Sequence, residues 1–208
     1  MRCGMAVLAL LLTMVLATGR LQAASDAATV ETCFTPRQLC TGVIVAAIER
    51  ARREIKVEAY GFTSPPILDA LVKARRRGLD VQVILDRTNA SRGRNKGVME
   101  MTGAGVPVWI DHRSGIAHNK VVVIDGHLVI TGSFNFTVSA DRKNAENVVV
   151  LESPALAARY LANWRSLLVV ARPYDEQDSE AGGRVARPHG RHRHRVFAWC
   201  RGAGPACR

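Results

Sequence analysis

Residues 116–137, IAHNKVVVIDGHLVITGSFNFT, decide the fold. Positions 119–124 and 127–131 are two β-branched runs, and Asp125-Gly126 between them is a strong two-residue hairpin signal. The polar residues in this stretch are out of place for a strand buried on both faces. His118 and Lys120 occupy alternate positions at the start of an apolar run, and an ammonium group there is costly unless it has an anionic partner. Side chains two apart on a strand share a face. His118 and Lys120 therefore point the same way, and Ser133 and Asn135 repeat that relation one hairpin later.

If the hairpin folds back, an imidazole, an ammonium, a hydroxyl and an amide converge. Lys120 can neutralise a non-bridging phosphate oxygen. Ser133 and Asn135 can donate hydrogen bonds to the others, and His118 is left to attack phosphorus or to move a proton. Phosphodiester cleavage needs fixed donors where charge develops and a nucleophile held in line. Singly these residues read blandly, as a structural histidine, an edge lysine and turn residues. Their combined spacing is hard to produce by accident.

Outward from the hairpin, helical spacing covers 41–54, with apolar residues at 43, 44, 47, 48, 51 and 55. An alternating strand follows over 55–60. Ser64-Pro65 opens a helix that Gly78 stops. Positions 79–85 form a second strand, ending at Asp86, and a polar loop runs from 87 to 96. A weaker helix covers 97–102, strands cover 106–110 and 147–151, and Ser153-Pro154 opens a last helix to about 169. Strands alternating with helices imply a layered α/β sheet. The Asp-Gly hairpin makes that sheet mixed. No internal repeat is present, so the chemical motif occurs once.

The chain has 208 residues, enough for one ordinary core, and a formal net charge of +11. That charge favours an anionic partner such as nucleic acid or an anionic membrane surface. Residues 1–24 read as an export signal: Arg2, an apolar run from Met5 to Thr18, then small residues at Ala23-Ala24. The run is shorter than the roughly 20 residues of a spanning helix; an uncleaved anchor is the alternative. Export implies a periplasmic or secreted chain in an oxidising compartment, with Cys33, Cys40, Cys200 and Cys207 remaining. Four cysteines allow three pairings. Equal separations favour local bridges Cys33–Cys40 and Cys200–Cys207, and the short spacing typical of zinc sites is absent. The domain is assigned to 25–172. A basic tail over 173–208 reads as mostly disordered, with seven Arg and no acid between Ala181 and Arg208.

The pattern His118-x-Lys120, Asp125, Gly132-Ser133-x-Asn135 resembles the phospholipase D superfamily signature. VEAYGFTSPPILDALVKARRRGLDVQVILD and TGSFNFTVSADRKNAENVVVL look like the small secreted bacterial endonucleases that carry one copy of it. The resemblance covers roughly residues 30 to 172. It does not extend to Cys33, Cys40 or the basic tail.

The resemblance implies a mixed β-sheet sandwiched between helical layers, no cofactor and no metal. Lys120 and His118 would take over the two jobs of a metal, charge neutralisation and nucleophile activation. Two signature copies make one active site, so a chain with one copy would act as a homodimer. One His118 would form a phosphohistidine while its twin protonates the leaving oxygen. Lys120 and Asn135 would hold the phosphate, with Ser133 supporting. Glu146 would accept from the other imidazole nitrogen and orient the ring. Asp125 and Gly132 are read as structural support of the motif.

Three functions compete. The first is a non-specific endonuclease acting on DNA, with RNA as a further substrate, and with Arg87, Arg92, Arg94 and Lys96 lining the approach. The second is a phospholipid head-group hydrolase, for which Phe62 to Ile67 and Trp109 are the only docking candidates, with no stable membrane insertion once the signal is gone. The third is a nucleic-acid-binding protein without catalysis, which leaves the intact signature unexplained.

Overall fold

The computed structural model describes residues 29–175 apart from 92, 94, 95 and 114. The expected signal, Cys200, Cys207 and the chain beyond 175 lie outside the described residues. In chain order the elements are β1 (Thr29–Phe34), α1 (Cys40–Arg50), β2 (Glu54–Ala59), α2 (Pro65–Arg76), β3 (Asp80–Asp86), α3 (Lys96–Gly103), β4 (Val108–Asp111), β5 (Lys120–Ile124), β6 (Leu128–Gly132), α4 (Val138–Arg142), β7 (Asn147–Glu152), α5 (Pro154–Leu168) and β8 (Arg172–Pro173). The strands form one sheet in the order β1-β7-β6-β5-β2-β3-β4-β8. Only β2–β3 and β3–β4 are parallel pairs. The mixed sheet is the one the hairpin predicts.

Helices cover both faces. Ile44 and Ile48 of α1, Ile67 and Leu71 of α2 and Met101 of α3 pack against Val57, Val83, Leu85, Val122 and Ile124. On the other face Ala157 and Leu161 of α5 pack against Val121, Val123 and Val129. Strand β5 is thus apolar on both sides, which is why its run of valines does not alternate.

The helix expected over 41–54 stops at Arg50. Asp125 explains the break. Its carboxylate accepts from the backbone N–H groups of Arg52 (2.9 Å), Arg53 (2.7 Å) and Glu54 (3.0 Å). Its carbonyl accepts from the Arg53 guanidinium at 2.5 Å. Asp125 and Gly126 have φ of 53° and 71°, the left-handed geometry of a mirror-image hairpin turn. Ile124 pairs with Leu128, so the loop has three residues, and β6 starts at Leu128 instead of His127. The signature aspartate therefore ties the hairpin to the α1–β2 turn. Burial alone would raise its pKa, but the three amides and Arg53 hold the carboxyl below its ordinary value.

Three elements have no counterpart in the sequence reading: β1, the five-residue α4, and β8. Strand β1 lies at the sheet edge against β7. The Cys33–Cys40 disulfide joins it to α1, as the local pairing predicts. Strand β8 pairs with β4, and Tyr174 N–H donates to the Val108 carbonyl at 2.9 Å. The paired residues thus run just past Arg172, where the sequence reading starts its tail.

The polar positions of β2 are buried, with Trp164 of α5 beside Lys56. Lys56 is 6% exposed and Glu58 only 2%. Lys56 Nζ lies 2.5 Å from Asp80 and 3.6 Å from Glu54, and 5.7 Å from the centre of the Trp164 ring. Glu58 accepts from Asn119 Nδ2 at 2.5 Å. Burial pushes the Glu58 carboxyl above its ordinary range, and the Asn119 donor only partly opposes this.

Two stability outcomes follow. Asp125→Ala leaves three backbone donors without their acceptor and should lower the unfolding free energy by about 3 kcal/mol, read by urea denaturation. Glu58 has a folded pKa above its unfolded one, so its favourable contribution is present at low pH and is lost as pH rises through the folded pKa. Glu58→Gln should therefore melt higher than wild type near neutral pH, with the gain fading below about pH 4.

Candidate active site

One end of the sheet collects the polar residues of the motif. Strands β2 and β6 end there, while β5 and β7 begin there, as the pairs Ala59 with Lys120 and Gly132 with Val148 show. Lys120, the first residue of β5, is 5% exposed. Its Nζ donates to the His118 carbonyl at 2.6 Å and stands 5.4 Å from the Tyr60 ring centre. Burial draws its pKa below the ordinary lysine value, and the negative charge of Glu146 pushes it back up. Glu146 is thus the anionic neighbour that a buried lysine at this position demands.

His118 itself is exposed. Its imidazole lies against Tyr60, with ring centroids 4.7 Å apart and planes tilted by 55°. The Tyr60 backbone is fixed on both sides. Its N–H donates to the Asn119 carbonyl at 3.0 Å, and its carbonyl accepts from Asn89 Nδ2 at 2.6 Å. Asn89 Oδ1 in turn accepts from Phe62 N–H at 3.2 Å.

The second half of the motif is built on glycine. Gly132 has φ of 149°, and a Cβ there would lie 2.2 Å from the Asn147 carbonyl oxygen. No other residue fits without moving backbone. Phe134 and Phe136 are buried, which turns Ser133 and Asn135 to the opposite side. Ser133 Oγ donates to Glu146 Oε2 at 2.5 Å and accepts from Asn147 N–H at 3.1 Å. Its hydrogen is committed to Glu146, so in this state Ser133 holds the carboxylate in place. Glu146 Oε1 accepts from Asn144 Nδ2 at 2.9 Å. Among the described residues no hydrogen bond joins Glu146 to the His118 of the same chain. The Asn135 Oδ1 is buried without a hydrogen-bond partner. It packs where a Cβ on Gly61 would come within 3.3 Å.

The structure therefore gathers His118, Lys120, Ser133, Asn135 and Glu146 at one end and sets Asp125 a strand length away. Arg87 and Lys96 are exposed; Arg92 and Arg94 lie outside the described residues. Phe62 and Ile67, considered above for membrane docking, are each 1% exposed and belong to the core. Trp109 packs edge-on against Trp164, with centroids 6.5 Å apart. Tyr60 and Asn89 are parts of the site that the sequence reading missed. Tyr60 carried one signal, an aromatic closing an alternating strand; Asn89 carried none.

A mixed sheet with a His-x-Lys strand start beside a Gly-Ser-x-Asn strand exit defines a class of α/β protein with an imidazole, a buried ammonium, a hydroxyl and an amide at one end of the sheet. Comparison with known proteins narrows the class. A family model described as "Cardiolipin synthase, PLD-like domain" matches residues 44–168. The "Phospholipase D" of Rickettsia prowazekii is 50% identical over 137 residues, 66% of this chain and 66% of that protein. The "Mitochondrial cardiolipin hydrolase" of Xenopus tropicalis is 31% identical over 118 residues, 57% of this chain and 56% of that protein. The crystal structure of Nuc from Salmonella typhimurium, a phospholipase D family member, superposes with a TM-score of 0.68 at 36% identity, covering 71% of this chain and 98% of that one. The chain belongs to the phospholipase D superfamily. It spans about two thirds of the Rickettsia protein's length.

The link between Glu146 and Lys120 has a consequence for pH. Removing the carboxylate charge removes the influence that keeps Lys120 protonated. Glu146→Gln should shift the alkaline limb of the activity profile to lower pH, measured as kcat/KM across the alkaline range on a phosphodiester substrate.

Proposed function

We propose that the chain is a metal-independent phosphodiesterase that cuts nucleic acid, DNA foremost, without reading bases, and that it works as an exported homodimer. The observation that carries this reading is the exposed His118 imidazole and the buried Lys120 ammonium set around one ring, Tyr60, with the ammonium bonded to the His118 carbonyl. Lys120 and Asn135 hold the non-bridging oxygens. One His118 attacks phosphorus; the P–N bond forms as the P–O bond to the leaving group breaks. The second copy's His118 gives that oxygen a proton, then takes one from the water that releases the product. Glu146, held by Ser133 and Asn144, accepts from the other nitrogen of a His118 ring and orients it. Twin imidazoles, one neutral and one charged, titrate as a unit.

The net charge of +11 supports a polyanionic substrate, as does the similarity to Nuc. The Cys33–Cys40 disulfide supports an oxidising destination, periplasmic or secreted. A second reading is a phospholipid head-group hydrolase. It is favoured by the names of the relatives and by exposed Phe34, Leu39 and Ile116 near the site end of the sheet. Among the described residues no helix is long and apolar enough to cross a membrane.

DNA, RNA and phosphatidylcholine vesicles offered in parallel, with a chelator present, separate the readings. Cleavage of DNA is expected, and turnover of the vesicles alone would install the lipid reading. His118→Ala should lower the rate by about 10⁴-fold or more while leaving the circular dichroism spectrum unchanged. A monomer by light scattering at working concentration would refute the shared site.

A further inference from the structure

The Cys33–Cys40 bridge lies in the part of the chain that the family resemblance leaves unexplained, and the loop it closes touches the site. Thr35 N–H donates to the Glu146 carbonyl at 3.1 Å. Glu146 N–H donates back to Thr35 Oγ1 at 3.1 Å, and that hydroxyl donates to the Asn144 carbonyl at 2.9 Å. Just past the other cysteine, Thr41 N–H donates to Asp141 Oδ1 at 3.0 Å. Residues 141–146 are thus gripped from both ends of the bridged loop. This segment carries Glu146 and also Asn144, whose amide holds the Glu146 carboxylate.

Apolar packing does little to seat the loop. Its two large hydrophobic side chains, Phe34 and Leu39, are 56% and 61% exposed. Thr35 is 6% exposed and makes every bond just described to Asn144 and Glu146. Thr35 is held by the end of the β1–β7 pairing at Phe34 and Asn147, by the covalent bridge and by these few hydrogen bonds.

We propose that Thr35 is a positioning residue for Glu146, and that the Cys33–Cys40 disulfide holds it in place, so that full activity belongs to the oxidised chain. The inference rests on the phosphodiesterase reading above. Reduction uncouples the end of β1 from the start of α1, the loop between them loosens, Thr35 holds the Asn144–Glu146 backbone less firmly, and the carboxylate loses its fixed relation to Ser133 and Lys120. An exported nuclease with this arrangement is slow while its thiols are reduced and reaches full rate once the bridge forms.

The full chain is assayed on DNA in four forms: oxidised, reduced, Thr35→Val and Thr35→Ser. Dithiothreitol supplies two electrons and two protons, opening the bridge to two thiols while it closes to its own cyclic disulfide; free thiols are counted alongside. Reduced protein and Thr35→Val should lose kcat by about tenfold to a hundredfold. Their KM should change by less than about twofold. Both should shift the alkaline limb downward, as loss of the Glu146 charge does. Thr35→Ser and reoxidised protein should match the oxidised wild type. Full kcat with an unmoved limb in folded reduced protein and in folded Thr35→Val overturns the inference while cleavage by oxidised wild type upholds the parent reading. Activity that declines only in step with the loss of folded protein by circular dichroism overturns it as well, by reducing the loop to a staple. An inactive oxidised wild type sinks both.

Discussion

Taking the Lys120 ammonium out of water is costly, and its surroundings must offset that cost locally. Three neighbours do so. The His118 carbonyl accepts a hydrogen bond, the Tyr60 ring offers its electron-rich face, and Glu146 supplies a negative charge. Each is also tied to something else at the site. The carbonyl sits on the residue that presents the imidazole. The ring lies against that same imidazole. The carboxylate is held by Ser133. Satisfying one buried cation therefore fixes the relative positions of the groups around it. A lysine at the end of an apolar strand is a liability for folding unless the groups around it are arranged in advance.

Rigidity at the site comes from backbone constraints one step removed from the polar groups. Gly132 must approach the Asn147 backbone so closely that a single Cβ would collide with it, and this brings Ser133 beside Glu146. Asn89 clamps the Tyr60 carbonyl and the Phe62 amide together. Phe62 and Phe136 meet edge-on in the core, 5.8 Å between centroids, and Gly61 between these clamps leaves room for Asn135. Polar atoms face the substrate side while aromatic anchors face the core, so the groups that must not move are attached to those that cannot.

What was legible in the sequence was local. The Asp125-Gly126 turn demands positive φ at both residues, and the chain shows it. Gly132-Ser133-x-Asn135 stands out because glycine, hydroxyl and amide at fixed spacing are seldom accidental. What was not legible depends on partners far along the chain. Lys56 and Glu58 alternate with apolar residues as solvent-facing positions do, yet both are buried, and the tolerated burial comes from Asp80 and Asn119. The spacing marks Asp125 as structural support of the motif but does not show that its carboxylate serves the amides of residues 52–54, more than seventy positions earlier. Strand β1 has only Cys33 buried and so lacks a periodic apolar face to announce it. Asn89 is an unremarked polar residue in a loop until the fold places it against Tyr60.

The mixed topology is what makes the site. Strand β5 runs antiparallel to β2, so the first residue of one meets the last of the other at Ala59 and Lys120. The hairpin then returns β6 to that same end, and β7 begins there beside it. Had β5 been parallel to β2, His118 and Lys120 would start from the opposite end, roughly 17 Å away for a strand of this length. The tight turn at Asp125 does its work at the far end: by anchoring the hairpin to the α1–β2 turn it fixes the register of β5 against β2. A slip of one residue would turn Lys120 toward α5 and bring Asn119 to the place of the cation. Position in the register, more than the identity of any one side chain, brings a common set of polar residues together at one end of the sheet.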